Sequence, residues 1–186
     1  MSKERKIPVF PNWYPFNDMV FDGHLKVGKY AAVKTRKWQW SYRGPVLFYN
    51  TLRTAQVELD RYPKYQDTPK NRKTIIGIAE IVESRPLVVE EAKQMLANFN
   101  NHKLVKIEIE LEETAAATEQ SIEQIIYDFW KFGPFVAPFK VGFFFQKPKR
   151  FENPVPFNWP SGPIKPIFTD INQNPALKKQ IALAGY

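Results

Sequence analysis

The sequence predicts a mainly β domain with helical decoration, an α+β fold built around a small β-barrel. Three observations predict it. Six or so short runs rich in β-branched and aromatic residues recur along the chain, the mark of short strands. Sixteen prolines stand against eight glycines, which favours rigid loops over long helices. Two or three helical patterns fall between the strands at irregular intervals, so the alternation of a parallel α/β fold is absent. At 186 residues the chain suits one domain with a sizeable core.

In chain order, residues 1–13 read as a loosely attached arm, because Pro8 and Pro11 block regular pairing. "PFNDMVFDG" predicts a short helix closed by Gly23, and "KYAAVKTRKW" a strand. "PVLFYN" is a buried-strand run bounded by Gly44-Pro45 and Asn50-Thr51. Residues 51–73 are polar and irregular, with helical character around Thr54 to Leu59. "TIIGIAEIVESRPL" is the clearest strand, with Gly77 marking a bulge or a close backbone approach. "VEEAKQMLANFN" places Ala92, Met95, Leu96 and Phe99 on one helical stripe. "KLVKIEIELEE" alternates through Val105, Ile107, Ile109 and Leu111 and predicts a strand with one wet face. "TEQSIEQIIYDFWKFG" predicts a helix capped by Thr118 or Ser121 and stopped at Gly133. "VGFFFQ" predicts a last aromatic strand, and "NPALKKQIALAGY" a terminal helix. The expected layout is an arm at 1–13, a domain at 14–168 carrying a helix–strand–helix insert at 88–130, and a tail at 169–186.

Charge is unevenly spread. The chain carries a net +8, yet residues 26–73 hold 12 Lys/Arg against 3 Asp/Glu, and residues 88–123 hold 8 acids against 3 bases. A basic half beside an acidic insert predicts one anion-facing surface and one solvated face. The absence of cysteine excludes disulfides and thiolate chemistry. Two histidines, His24 and His102, are too few and too far apart to predict a metal site. No phosphate-binding glycine loop, HExxH, GxSxG or zinc spacing occurs, so no cofactor is expected. With no secretory signal and no apolar span, a cytoplasmic protein with no membrane partner is the expectation.

The densest chemistry lies in "VKTRKWQWSYRGPVLFYNT", residues 33–51. Arg36, Lys37 and Arg43 interleave with Trp38, Trp40 and Tyr42, and Lys147, Lys149 and Arg150 form a second basic turn. Cations along a groove with ring faces between them are what a single-stranded backbone and its bases require. Trp38 reads as core, Trp40 and Tyr42 as the border of a cleft, and Trp159 in "FNWPSGP" as a further lining residue. Strand parity puts Arg36 on the ring side, where a cation needs a carboxylate or a phosphate.

Three ordered landmarks, "KTRKW…YRGPVLFYNT", "TIIGIAEIVESRPL" and "FKVGFFFQKPKRFENPVPFNWPSGPIKP", resemble the ASCH domain, a β-barrel of the PUA-like class. The resemblance covers about residues 14–165 and is interrupted by the insert. It implies an RNA-associated module, directed in some members at nucleotides or nucleosides. One branch hydrolyses an acylated cytidine nucleoside with a Lys, a Thr and a Glu. Carried over, Glu80 stands where the acid is expected, whereas Ala31 occupies the Lys position and Lys34 the Thr position, with Thr35 next door. The leading expectation is therefore an RNA- or nucleotide-binding module, as the resemblance implies, with the residue pattern offering Arg36, Lys37, Trp38, Trp40, Tyr42, Arg43, Arg85, Lys147, Lys149 and Trp159 as its contacts. A nucleoside amidohydrolase around Lys34, Thr35 and Glu80 is the alternative. A protein-interaction domain, with the insert as contact face, is the third.

Overall fold

Six strands form where the β-branched and aromatic runs lie: β1 (Lys6–Tyr14), β2 (Ala32–Arg36), β3 (Gly44–Thr54), β4 (Thr74–Pro86), β5 (Val141–Pro156) and β6 (Ile167–Asp170). Between them come α1 (Phe16–Phe21), α2 (Gln56–Arg61), α3 (Lys64–Asp67), α4 (Val89–Asn100) and α5 (Leu104–Thr118), and the chain closes with a helix at Pro175–Leu183. This computed structural model describes residues 5–36, 38–67, 71–100, 104–126, 141–160 and 165–186.

The strands make one mixed α+β sheet in the order β2-β5-β4-β3-β1-β6. β1 runs parallel to β3, and the β1–β6, β2–β5 and β3–β4 pairs are antiparallel. The sheet is open, with β2 and β6 at its two ends, where the sequence predicted a closed barrel.

Two compact units divide the chain. Unit 1 comprises Met1–Gly23, Arg43–Ile81 and Gln146–Tyr186; unit 2 comprises His24–Tyr42 and Val82–Phe145.

In unit 1 the expected N-terminal arm is instead a strand. β1 pairs with β3 on one side and β6 on the other, with Pro8 opposite Phe168 and Pro11 opposite Tyr49. Each proline withholds a single donor, while Ile7, Val9 and Phe10 are at most 1% exposed. Fully burying each such side chain is worth about 1.5–3 kcal/mol, which outweighs one missing ladder bond of about 1 kcal/mol. The same core takes in Leu47, Ile75 and Phe151, and the terminal helix seals it with Leu177 and Ile181 at i,i+4 spacing. That helix starts as predicted: the Leu177 N–H donates to Asn174 Oδ1 at 3.0 Å and Pro175 opens the first turn.

Gly77 fulfils both of its sequence readings. The β3–β4 register slips between Phe48 and Tyr49, beside its partner Phe48. A Cβ at position 77 would also stand 2.4 Å from the Phe21 ring and 2.6 Å from the Lys149 carbonyl.

In unit 2 the insert departs from prediction, since α5 is a helix where a strand was expected. Ile107 and Leu111, four apart, are its buried residues, while Val105 and Ile109 are exposed. Glu, Leu, Lys and Ala are good helix formers, and this local preference prevails over the period-2 pattern. Ser121 accepts from the Gln124 N–H at 3.2 Å, as the predicted cap does, and helix continues to 126. The predicted stop at Gly133 and the run "FGPFVAPF" lie outside the described residues. No described helix is long and apolar enough to cross a membrane.

Candidate nucleic-acid interface

The unit 2 site is built on the β2–β5 pair. Lys34 stands opposite Phe143 and Arg36 opposite Val141. Directly opposed residues of an antiparallel pair share a face, so Lys34 and Arg36 lie on the Phe143 side of the sheet. Thr35, opposite Gly142, points the other way. Lys34 and Thr35, the proposed catalytic neighbours, are thereby separated onto opposite faces, and both are buried.

On the Phe143 face the predicted rings come together. Trp38 meets Phe143 edge-on, with centroids 4.9 Å apart at 76°. Trp40 lies 6.2 Å from Trp38 and 6.4 Å from Phe143. Tyr42 stacks on Trp40 at 4.9 Å and 26°. Phe143 is fully buried, and the other three rings are half-buried. Trp38 was read as core, yet it lines this cluster.

The segment carrying these rings is not a strand, because β2 ends at Arg36. The Trp40 N–H donates to Ser84 Oγ at 3.0 Å and Gln39 Nε2 donates to the Ser84 carbonyl at 2.8 Å. Ser84, 1% exposed on β4, is thus a positioning residue that the sequence reading missed. Its only signal was a small polar residue between the charged Glu83 and Arg85 of β4.

Desolvation lowers the Arg36 guanidinium to about 10, which leaves it charged at neutral pH. Its Nη1 donates to the adjacent Thr35 carbonyl at 2.7 Å. A cation partly stripped of water gains strongly from a charge-assisted bond. Burial likewise pushes the Tyr42 phenol up, so it stays a neutral donor.

Arg85 is differently engaged. It grips Glu91 with Nη1 at 2.8 Å and Nη2 at 2.7 Å, and its Nε donates to Glu83 at 2.8 Å. Its guanidinium sits 4.1 Å over Phe144, which stands opposite Val33 and so faces away from Phe143. The Tyr30 hydroxyl completes the cluster by donating to Glu83 at 2.7 Å. Arg85 therefore clamps the start of α4 to β4 rather than lining the ring cluster.

The remaining candidates belong to unit 1. Glu80 pairs with Lys147 at 3.0 Å, so a predicted catalytic acid and a predicted phosphate contact neutralise each other. The Tyr186 hydroxyl donates to the Lys147 carbonyl at 2.7 Å. Burial, then the Glu80 charge, pushes Tyr186 up to about 12. Lys149 and Arg43 are exposed. Trp159 stacks on Tyr49 at 5.2 Å and 17°, packed against the unit 1 core. The predicted basic turn is instead part of β5, which runs unbroken through Lys147, Lys149 and Arg150, and Arg150 is occupied by Asp18 at 2.6 Å and Asp22 at 2.9 Å. Lys37 lies outside the described residues. Among the described residues, no group of three or more His, Asp or Glu is placed to hold a metal ion.

No family model matches the chain, and no curated protein does. Two solved structures are similar in outline. One is the crystal structure of ASCH from Zymomonas mobilis, at 12% identity and a TM-score of 0.46, covering 95% of this chain and 93% of that one. The other is a tyrosine-to-phenylalanine variant of that protein, with the same identity and TM-score, covering 96% and 98%. A likeness this distant carries no weight for the chemistry, which rests on the residues above.

Proposed function

We propose that this chain binds single-stranded RNA or a nucleotide-like ligand through the Phe143 face of unit 2. The observation that carries the reading is the stacked pair Trp40 and Tyr42, half-exposed beside Trp38, on the sheet face that also holds the desolvated cation Arg36. In this reading a base stacks on the Trp40–Tyr42 pair and a phosphate is met by Arg36, all within unit 2. The motif resemblance to the ASCH domain points in the same direction.

The test is fluorescence anisotropy with labelled single-stranded RNA over a salt series. Affinity falls steeply with salt, each neutralised phosphate adding about 0.7 to the slope. Binding indifferent to salt, or none at micromolar protein, rejects the reading. A nucleoside amidohydrolase draws no support from this geometry, because Lys34 and Thr35 point to opposite faces and Glu80 is paired with Lys147. The exposed Val105 and Ile109 of the insert favour a second reading, a protein contact. A change in size-exclusion mass between the native chain and Val105→Glu/Ile109→Glu tests that one.

A further inference from the structure

We infer that unit 1 carries a second contact for single-stranded nucleic acid, at the C-terminal ends of β1 and β3, formed by Trp13, Arg53 and Arg72. The inference rests on the nucleic-acid reading above for its ligand class, but on different residues.

Trp13 breaks the burial of β1. Its strand neighbours Asn12 and Tyr14 are buried, whereas Trp13 is 37% exposed. The parallel register brings the ends of the two strands together, with Tyr14 opposite Thr54 and a slip between Asn12 and Tyr14. Beside that slip the Arg53 guanidinium lies over the Trp13 ring, 5.4 Å from its centroid. Arg72 reaches the same strand end, its Nη2 donating to Thr54 Oγ1 at 2.6 Å.

The turn that presents Arg72 is held in place. The Lys73 N–H donates to the Asn50 carbonyl at 2.8 Å, and the Lys73 carbonyl accepts from the Phe157 N–H at 2.9 Å. The Thr74 hydroxyl closes the turn onto the Asn71 carbonyl. Asn71 and Lys73 both adopt positive φ, at 31° and 57°. Such strained backbone persists only where its surroundings hold it.

Among the described residues neither Arg53 nor Arg72 has a carboxylate partner. Ordinary surface cations are mobile and flank acids. Here one guanidinium lies over an indole and the other is tied to a hydroxyl, so both are pre-set to meet backbone phosphates. An aromatic face beside a guanidinium plane is the pairing on which splayed bases stack while phosphates are gripped. A lipid surface fits less well, because among the described residues the last three positions of β1 and of β3 expose only Trp13 and Leu52 as large apolar side chains and one side of the indole is covered by a cation.

The experiment compares the full chain with Trp13→Ala, with Arg53→Gln/Arg72→Gln, and with Trp40→Ala, using a labelled 20-nucleotide uridine-rich RNA. The expected result is a loss of about 5- to 150-fold in affinity for Trp13→Ala. The double arginine variant loses affinity and its salt slope falls by about 1.4. If Trp13→Ala does not fold, the arginine variant decides, since both side chains are exposed. Wild-type affinity in the Trp13 and arginine variants, together with a loss in Trp40→Ala, overturns this site and leaves the unit 2 reading standing. A native chain that binds no RNA overturns both. Binding to phosphatidylserine vesicles that Trp13→Ala abolishes, with RNA binding unchanged, assigns the surface to a membrane and also overturns the inference.

Discussion

Arg150 donates to Asp18 at 2.6 Å and to Asp22 at 2.9 Å, while Asn50 Nδ2 donates to the same Asp18 carboxylate at 3.1 Å. Asp18 is 1% exposed and Asn50 fully buried, so Asp18→Ala leaves a buried donor without its acceptor. The expected loss is about 1–3 kcal/mol of unfolding free energy by urea denaturation. Glu80→Ala breaks an ion pair whose lysine side chain is 68% exposed, and its cost stays below about 1 kcal/mol. On the binding side, Trp40→Ala removes one stacking face and costs about 1–3 kcal/mol of RNA affinity with the fold unchanged by circular dichroism. The ring cluster was legible because aromatic and basic residues crowd one short segment. The fates of Glu80 and Arg150 were not, because each is decided by a partner distant in sequence, Lys147 and Asp18; Arg85 meets Glu83 and Glu91 within six residues, but only once α4 folds back on β4.

β4 and the terminal helix could be read directly, since their patterning, bulge glycine and cap all point the same way. β1 could not. Its two prolines argue locally against a strand, and only pairing on both sides reveals that each forfeits one bond. α5 misled for the opposite reason, as a seven-residue alternation from Val105 to Leu111 is compatible with either period when the exposed face also carries Val105 and Ile109. The helix makes a prediction that a strand does not. In a strand Ile107 and Ile109 share a face; in α5 Ile107 is 4% exposed and Ile109 49%. Ile107→Ala therefore costs about 2–4 kcal/mol and Ile109→Ala close to nothing, measured by thermal or urea unfolding. Equal losses at both positions would restore the strand. Asn174→Ala, removing the cap on the Leu177 N–H, costs about 1 kcal/mol.

At the scale of the whole chain, the mixed α+β class follows from patterning, but the openness of the sheet does not, because strand order depends on long-range pairing that no local window contains. Acid stability also belongs to this scale, and it draws on both units. In unit 1 burial pushes Asp22 up, but hydrogen bonds from Lys64 and Tyr65 and the Arg150 charge outweigh it, so its pKa is lowered from 3.8. In unit 2 the Arg85 hydrogen bonds hold Glu91 below 4.5 against desolvation. A carboxylate depressed in the folded state binds fewer protons there than in the unfolded chain, so its stabilisation is complete above the unfolded pKa and is lost as pH falls through the folded one. Unfolding free energy from urea titrations is expected to hold level on this account from pH 7 to 5. It then declines as pH falls below the ordinary carboxylate values, where the unfolded chain begins to take up protons, and the contribution is lost through the lower folded values of Glu91 and Asp22. Every carboxylate that protonates also raises a net charge already at +8, so acid weakens the fold by general repulsion as well. The Asp22→Asn/Glu91→Gln variant separates the two effects. It is less stable than the native chain at pH 7 and converges with it toward pH 3. A gap that stays constant across the range shows that these ion pairs contribute nothing to the acid response.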